Sequence, residues 1–209
     1  MTETLTFYTN PMSRGRIVRW MLEEVGEPYD TVLLDYGTTM KAPEYLAINP
    51  MGKVPAIRHG ETIVTEGSAI CAYLADAFPA AGLAPPVAER GDYYRWLFFA
   101  AGPVETAVTA KSLGLLAPPD KAMIAGYGSF DETIAALEQA VTGREYIAGG
   151  RFSAADVYVG SQIGWGLMFK SIPERPAFMD YVARIHARPA YKRAGELDDA
   201  AMPQPEQQA

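Results

Sequence analysis

Asn49-Pro50-Met51-Gly52-Lys53-Val54-Pro55-Ala56-Ile57-Arg58-His59-Gly60-Glu61-Thr62-Ile63-Val64-Thr65-Glu66-Gly67-Ser68 is the stretch on which the reading of this chain turns. Residues 54–58 and 61–65 are two short runs separated only by His59-Gly60, a two-residue hairpin signal, so they are expected to pair antiparallel. Pro55 offers no N–H to a ladder, which puts it at a strand start or bend, and the residue before it is pushed to extended geometry. From Glu66 onward Ile70, Cys71, Tyr73, Leu74 and Phe78 recur at helical spacing until Pro79 closes the run. The stretch therefore reads connection, β, β, α.

Upstream, residues 5–8 read as a short strand. Ile17, Val18, Met21, Leu22 and Val25 then follow helical spacing to Gly26, and residues 29–36 carry the β-branched and aromatic content of a second strand. A right-handed crossover makes these two strands parallel neighbours. The order β-α-β, connection, β-β-α, with proline opening the third strand, is the pattern of the thioredoxin fold. After Ala84-Pro85-Pro86 the strand signals stop, and segments around 90–101, 123–140, 154–168 and 177–187 read as helices between Gly and Pro breaks. The expected organisation is a thioredoxin-like α/β domain over 1–80 and an all-α domain over 86–195. The terminus from Gly195, with Pro203, Pro205 and three glutamines, reads as a mobile tail over 196–209.

A length of 209 residues exceeds the usual domain size of about 100–150, which favours two domains. With 49% hydrophobic and 21% charged residues the chain can bury an ordinary globular core. A net charge of −7 argues against nucleic-acid binding, which needs clustered Lys and Arg. No basic segment leads into an apolar run at the start, and the apolar region 96–116 is broken by Gly102-Pro103, Glu105 and Lys111, so neither a secretory signal nor a membrane span is expected. Cys71, the only cysteine, excludes an intramolecular disulfide and fits a reducing compartment, the cytoplasm.

Redox proteins of the thioredoxin fold carry Cys-x-x-Cys between the first strand and first helix; here that place holds Asn10-Pro11-Met12-Ser13, so disulfide exchange by the chain itself is ruled out. A hydroxyl at a helix start remains. Ser13 can donate a hydrogen bond to a thiolate brought by a ligand, with backbone N–H groups and the helix dipole favouring negative charge there. It can equally be an ordinary helix cap. A cis Val54-Pro55 bond would turn the Val54 backbone toward a bound peptide as a strand does, although Pro-Met-Gly is also a common turn. At the second helix start, Glu66 suits an ammonium and the N–H groups of small residues suit a carboxylate; an acidic helix start is common in its own right.

In order and spacing, Phe7-Tyr8-Thr9-Asn10-Pro11-Met12-Ser13, Asn49 to Pro55, Glu66-Gly67-Ser68-Ala69-Ile70 and Phe152-Ser153-Ala154-Ala155-Asp156 together resemble the soluble glutathione transferase family over nearly the whole chain. The resemblance implies glutathione as cosubstrate with no permanently bound cofactor. It implies Ser13 as the residue on the glutathione sulfur in a bacterial beta-like or related serine-type class, with Tyr8 as fallback, and Lys53, Val54, Pro55, Glu66, Gly67 and Ser68 as glutathione-binding residues. Gly67 departs from the family's usual serine, and the missing hydroxyl implies a loss of about 1 kcal/mol, the net worth of one hydrogen bond. A small hydrophobic electrophile is expected against aromatics such as Tyr93, Trp96, Phe99 or Trp165, in a detoxifying homodimer.

The competing reading is a non-catalytic module of the same fold that binds small molecules or proteins. Ser153 and Asp156 have the spacing of a capping box and are assigned to folding. His59 and His186 lack partners at metal spacing, so no metal is expected. Cys71 lies on an apolar stripe and reads as core. Arg14, Arg16 and Arg19 read as a solvated basic face, with a glutathione carboxylate contact open to Arg14 or Arg16.

Overall fold

The computed structural model describes residues 3–203. Contacts divide the chain into two compact units: residues up to Leu74 together with those from Arg188 onward, and Ala75–Ala187.

The first unit is built on β1 (Leu5–Thr9), α1 (Gly15–Val25), β2 (Asp30–Leu33), α2 (Pro43–Leu46), β3 (Ala56–His59), β4 (Thr62–Thr65) and the start of α3 (Gly67–Ala77). The sheet runs β2-β1-β3-β4, with β1 and β2 parallel and the other two pairs antiparallel. This is the expected thioredoxin-like pattern. The second strand is shorter than the run 29–36 because all four of its residues are exposed on an edge, where little side-chain packing holds the ends.

Successive residues of a strand face opposite sides of the sheet. Phe7 pairs with Ile57, and both are buried, as are Ile17, Val18, Met21 and Leu22 of α1 and Ile70 and Leu74 of α3. Each such side chain contributes roughly 1.5–3 kcal/mol when fully buried. Tyr8 pairs with Ala56 and packs into a smaller cluster of Leu34, Met40, Tyr45 and Ile48, its ring 5.6 Å from that of Tyr45.

In the second unit, α4 (Gly91–Phe99) continues through a π-helical turn, Ala100–Val104, into α5 (Glu105–Ser112), so Gly102-Pro103 deforms the helix instead of ending it. α6 (Phe130–Val141) starts later than the periodicity suggested. Met123 and Ile124 are 95% and 82% exposed, and Ser129 sets the start: its Oγ accepts the Glu132 N–H at 3.2 Å while Glu132 Oε2 accepts the Ser129 N–H at 3.1 Å. α7 (Ala154–Met168) and α8 (Pro176–His186) follow.

Asp156, fully buried, ties this unit together. Its carboxylate accepts from the Ile147 N–H (2.8 Å), the Tyr181 hydroxyl (2.8 Å), the Ser153 N–H (2.9 Å) and the Ser153 hydroxyl (3.0 Å). The folding role read from Ser153 and Asp156 is thus visible as a helix start anchored to a loop and to α8.

The tail expected over 196–209 needs correction. α9 (Pro189–Ala200) carries the chain in helical form past Gly195 and belongs by its contacts to the first unit; residues 204–209 lie outside the described ones. It packs along α1. Asp198, fully buried, pairs with Arg19 at 3.2 Å, Asp199 with Arg16 at 2.6 Å, and Arg188 with Glu24 at 2.6 and 2.7 Å. Arg19 is therefore not on a solvated face. It is 4% exposed, donates to Tyr29 and Thr31, and lies over the Phe7 and Tyr29 rings. These partners are far from α9 in sequence, which is why local composition misread the segment.

Candidate functional site

The register of the sheet brings the predicted segments to one end. Tyr8 lies opposite Ala56, and Ala56 opposite Thr65. The exit of β1 toward Ser13, the entry to β3 through Val54-Pro55, and the exit of β4 into Glu66 are consequently at the same edge, where α1 and α3 both begin. Helix starts present N–H groups that no turn of the helix satisfies, and two of them together favour an anion.

The loop before α1 is closed by its own polar groups. Asn10, buried, donates from Nδ2 to the Leu34 carbonyl (2.8 Å) and accepts the Met12 N–H at Oδ1 (2.9 Å). The half-buried Ser13 hydroxyl donates to the Asn10 carbonyl at 2.6 Å and accepts the Gly15 N–H at 2.9 Å. The cap of α1 is Arg14, without a side-chain cap bond, so Ser13 precedes the cap and its oxygen satisfies only the first N–H of the helix, that of Gly15. Gly15 has no substitute here, since a Cβ would stand 1.9 Å from Thr9 Oγ1. Tyr8, the fallback, is taken up in the packed cluster with Tyr45.

Val54-Pro55 is a cis peptide, Val54 is half-buried and Pro55 buried, and the Lys53 side chain is exposed. The Lys53 carbonyl accepts from the Tyr45 hydroxyl (2.6 Å) and Asn49 Nδ2 (2.8 Å), while Lys41 Nζ donates to the Met51 and Gly52 carbonyls at 3.0 and 2.9 Å. Burial pushes the Tyr45 phenol up to about 12, so it stays a donor at neutral pH. Lys41 and Tyr45 support this turn from outside the motif, and no local pattern marked them.

Glu66 is exposed and has φ 68, a left-handed conformation unusual for a residue with a Cβ. Such strain concentrates at ligand clamps and turns. Its carbonyl receives the first bond of α3, from the Ile70 N–H at 2.9 Å, which leaves the Gly67 and Ser68 N–H groups in the unsatisfied first turn. Gly67 and Ser68 are half-buried.

Other candidates lie elsewhere. Arg16 donates from Nε to the Pro11 carbonyl at 2.6 Å besides pairing with Asp199, so its guanidinium is engaged within the chain. Arg14 is exposed. Cys71 is fully buried in α3, and burial pushes its thiol well up, away from reactivity. His59 Nδ1 lies 3.0 Å from the Tyr73 hydroxyl. Among the described residues no group of three or more His, Cys, Asp or Glu is placed to hold a metal. Tyr93 and Trp96 are buried, 1% and 4% exposed, whereas Phe99 and Trp165 keep part of their surface.

His186 packs against Gly164 of α7, where a Cβ would come within 2.7 Å of its ring. Burial lowers its pKa from 6.5 to about 4. The folded state then binds this proton only near pH 4 while the unfolded chain binds it below about 6.5, so the stability it contributes above pH 6.5 is lost as pH falls through that window. The expected loss is about 2 kcal/mol after allowing for the ring's partial exposure. Urea unfolding at pH 7, 5.5 and 4 should therefore show a steeper acid decline for the wild type than for His186→Gln; equal declines would assign the lability to other groups.

The architecture, a thioredoxin-like α/β unit with a unit made of helices, is that of the glutathione transferase fold. The model of the glutathione S-transferase N-terminal domain matches residues 12–77 and that of the C-terminal domain residues 127–189. Glutathione S-transferase F10 of Arabidopsis thaliana is 27% identical over 206 residues, 90% of this chain and 94% of that protein. A sphingomonad glutathione S-transferase solved in complex with glutathione is 30% identical, with 93% of this chain and 98% of that one covered at a TM-score of 0.75. The bacterial beta class enzyme of Sphingomonas chungbukensis is 27% identical over 92% and 98% of the two chains, at a TM-score of 0.74. The chain belongs to the glutathione S-transferase family. It is a glutathione-dependent transferase, with glutathione as cosubstrate. No helix among the described residues is long and apolar enough to cross a membrane.

Proposed function

We propose that this enzyme activates the glutathione thiolate through Ser13 for attack on an electrophilic, largely apolar second substrate. The observation that carries the reading is the convergence of Ser13, cis Val54-Pro55 and Glu66 at one end of the sheet, at two helix starts. The Ser13 oxygen already accepts the Gly15 N–H, which polarises its own O–H. When the sulfur arrives, the hydroxyl turns from the Asn10 carbonyl to the thiolate. Hydrogen bonding and the dipole of α1 then favour the ionised thiol, whose unperturbed pKa is about 8.5.

Val54 aligns the tripeptide by backbone bonds, with Lys53 and Pro55 framing that turn. Glu66 takes the γ-glutamyl ammonium, and the N–H groups of Gly67 and Ser68 its carboxylate. Of the four aromatics expected to meet the second substrate, Phe99 and Trp165 keep accessible surface, while Tyr93 and Trp96 are buried. A serine-type, beta-like class and a cytoplasmic detoxifying role fit this chemistry. Calorimetric titration with glutathione, followed by turnover of aryl halides, enones and peroxides, tests the reading; absence of glutathione binding would sink it.

Replacing Glu66 by Ala should raise the glutathione KM more than it lowers kcat, because the contact is remote from the sulfur. Alanine keeps a Cβ, so the left-handed backbone is equally strained in both proteins and the comparison isolates the carboxylate. An unchanged KM would remove Glu66 from the site.

A homodimer is part of the proposal, since most small homo-oligomers close with two-fold symmetry. Of the α3 residues that could face a neighbour, Ile70, Tyr73 and Leu74, only the half-buried Tyr73 keeps surface, whereas Met51 and Phe98 are 65% and 71% exposed. Light scattering at micromolar concentration should give twice the chain mass; the mass of one chain would refute the dimer.

A further inference from the structure

We propose that Asp199 and Arg16 are positioning residues for the Ser13 loop, the last helix holding the first helix's guanidinium against the Pro11 carbonyl. The inference rests on the reading of Ser13 above. Between Asn10 and Ser13 most bonds are local: Met12 N–H to Asn10 Oδ1, Ser13 N–H and Oγ to the Asn10 carbonyl at 3.1 and 2.6 Å, and Arg16 N–H to the Ser13 carbonyl at 3.3 Å. Asn10 reaches the Leu34 carbonyl, and the Tyr36 hydroxyl donates to the Met12 carbonyl at 3.3 Å. The Pro11 carbonyl is held differently. It accepts from the charged Arg16 Nε at 2.6 Å, and Arg16 Nη2 is itself fixed by Asp199 Oδ1 at 2.6 Å. A planar guanidinium that holds two oxygens at once has little freedom to swing.

The placement of Asp199 separates this role from fold stability. Its side chain is 71% exposed, and ion pairs so exposed contribute little to folding. α9 is docked without it, through the buried Arg19–Asp198 pair and the two bonds from Arg188 to Glu24. Loss of Asp199 should therefore leave α9 in place and free only the Arg16 fork. The Pro11 carbonyl would then drift, and with it the Asn10–Ser13 turn that aims the hydroxyl. Small misplacements of a group acting on a reacting atom cost far more in rate than in binding.

The test uses the full chain and two readouts: the ultraviolet thiolate band of bound glutathione at neutral pH, which needs no second substrate, and the split of kcat from KM with an activated aryl chloride. Arg16→Met is expected to weaken the thiolate band and lower kcat about five- to tenfold, and Asp199→Asn about threefold, with glutathione KM changed less than about twofold in each. In the Arg16→Met background Asp199→Asn should add nothing, since it acts through Arg16. Arg16→Lys should recover only part of the loss, because an ammonium cannot span both oxygens in the guanidinium's geometry. Arg193→Ala, an exposed α9 change next to Glu23, should match the wild type.

Variants of Arg16 and Asp199 with wild-type thiolate and kcat would overturn the inference. So would additive effects in the double variant, or a change confined to KM, which would make Arg16 a direct glutathione ligand. Ser13→Ala measured alongside separates the two levels. A wild-type thiolate band in Ser13→Ala overturns the reading of Ser13 itself, whereas a weakened band there with silent Arg16 and Asp199 variants overturns only the positioning.

Discussion

Replacing Ser13 by Ala should lower kcat for glutathione conjugation at least about tenfold, equivalent to about 1.4 kcal/mol of transition-state stabilisation, while leaving glutathione KM within about twofold. The hydroxyl acts on the sulfur, and the tripeptide is held elsewhere. Because the same oxygen accepts the Gly15 N–H, the variant should also lose about 1 kcal/mol of stability, the net worth of one hydrogen bond. The kinetic comparison is therefore made at a temperature where both proteins are folded. Ser13→Thr, which keeps a hydroxyl, should recover part of kcat. Equal turnover and an equal thiolate band in Ser13→Ala would shift the chemistry to Tyr8 or to the helix dipole alone.

The largest effect on stability is expected at Asp156. Asp156→Ala strips an acceptor from Ile147, Ser153 and Tyr181 together, in a place with no solvent to replace it. Burial raises the carboxyl's pKa, and the four hydrogen bonds oppose that shift, so the site is costly to leave half satisfied. A loss of about 3–5 kcal/mol follows, a large part of the stability of an ordinary domain. Urea unfolding followed by circular dichroism measures it. A midpoint within error of the wild type would mean the bonds are replaced by water on the way in.

These two residues also mark what the sequence could reveal. Ser13 and Asp156 sit in short motifs whose geometry is local: a helix start, a capping box, a hairpin of two short runs. Such elements declare themselves through spacing alone, and the β-α-β-β-α order was readable for that reason. Gly102-Pro103 misled because proline deforms a helix when neighbours accommodate the bulge, and α4 passes into α5 through it. The late start of α6 and the helical form of residues after Gly195 were hidden for complementary reasons. Met123 and Ile124 look like core but are exposed, and α9 looks like a polar tail but is held by arginines on α1 and at its own start. Lys41 and Tyr45 reach the turn before β3 from 8–11 residues upstream and Asp199 reaches Arg16 across 183, so no run of neighbouring residues marks any of them.

The discontinuity of the first unit bears on how the chain is made. A ribosome delivers β1 through β4 long before Pro189–Ala200 emerges, and domains generally fold as they are synthesised. Until then Arg19 lacks both Asp198 and the α9 surface that covers it, so its contacts with Phe7, Tyr29 and Thr31 form without the counter-charge that pairs it in the finished chain. The nascent sheet should accordingly stay loose, and a premature stop after residue 187 should yield a product recognised by quality control even though every strand of the sheet is present.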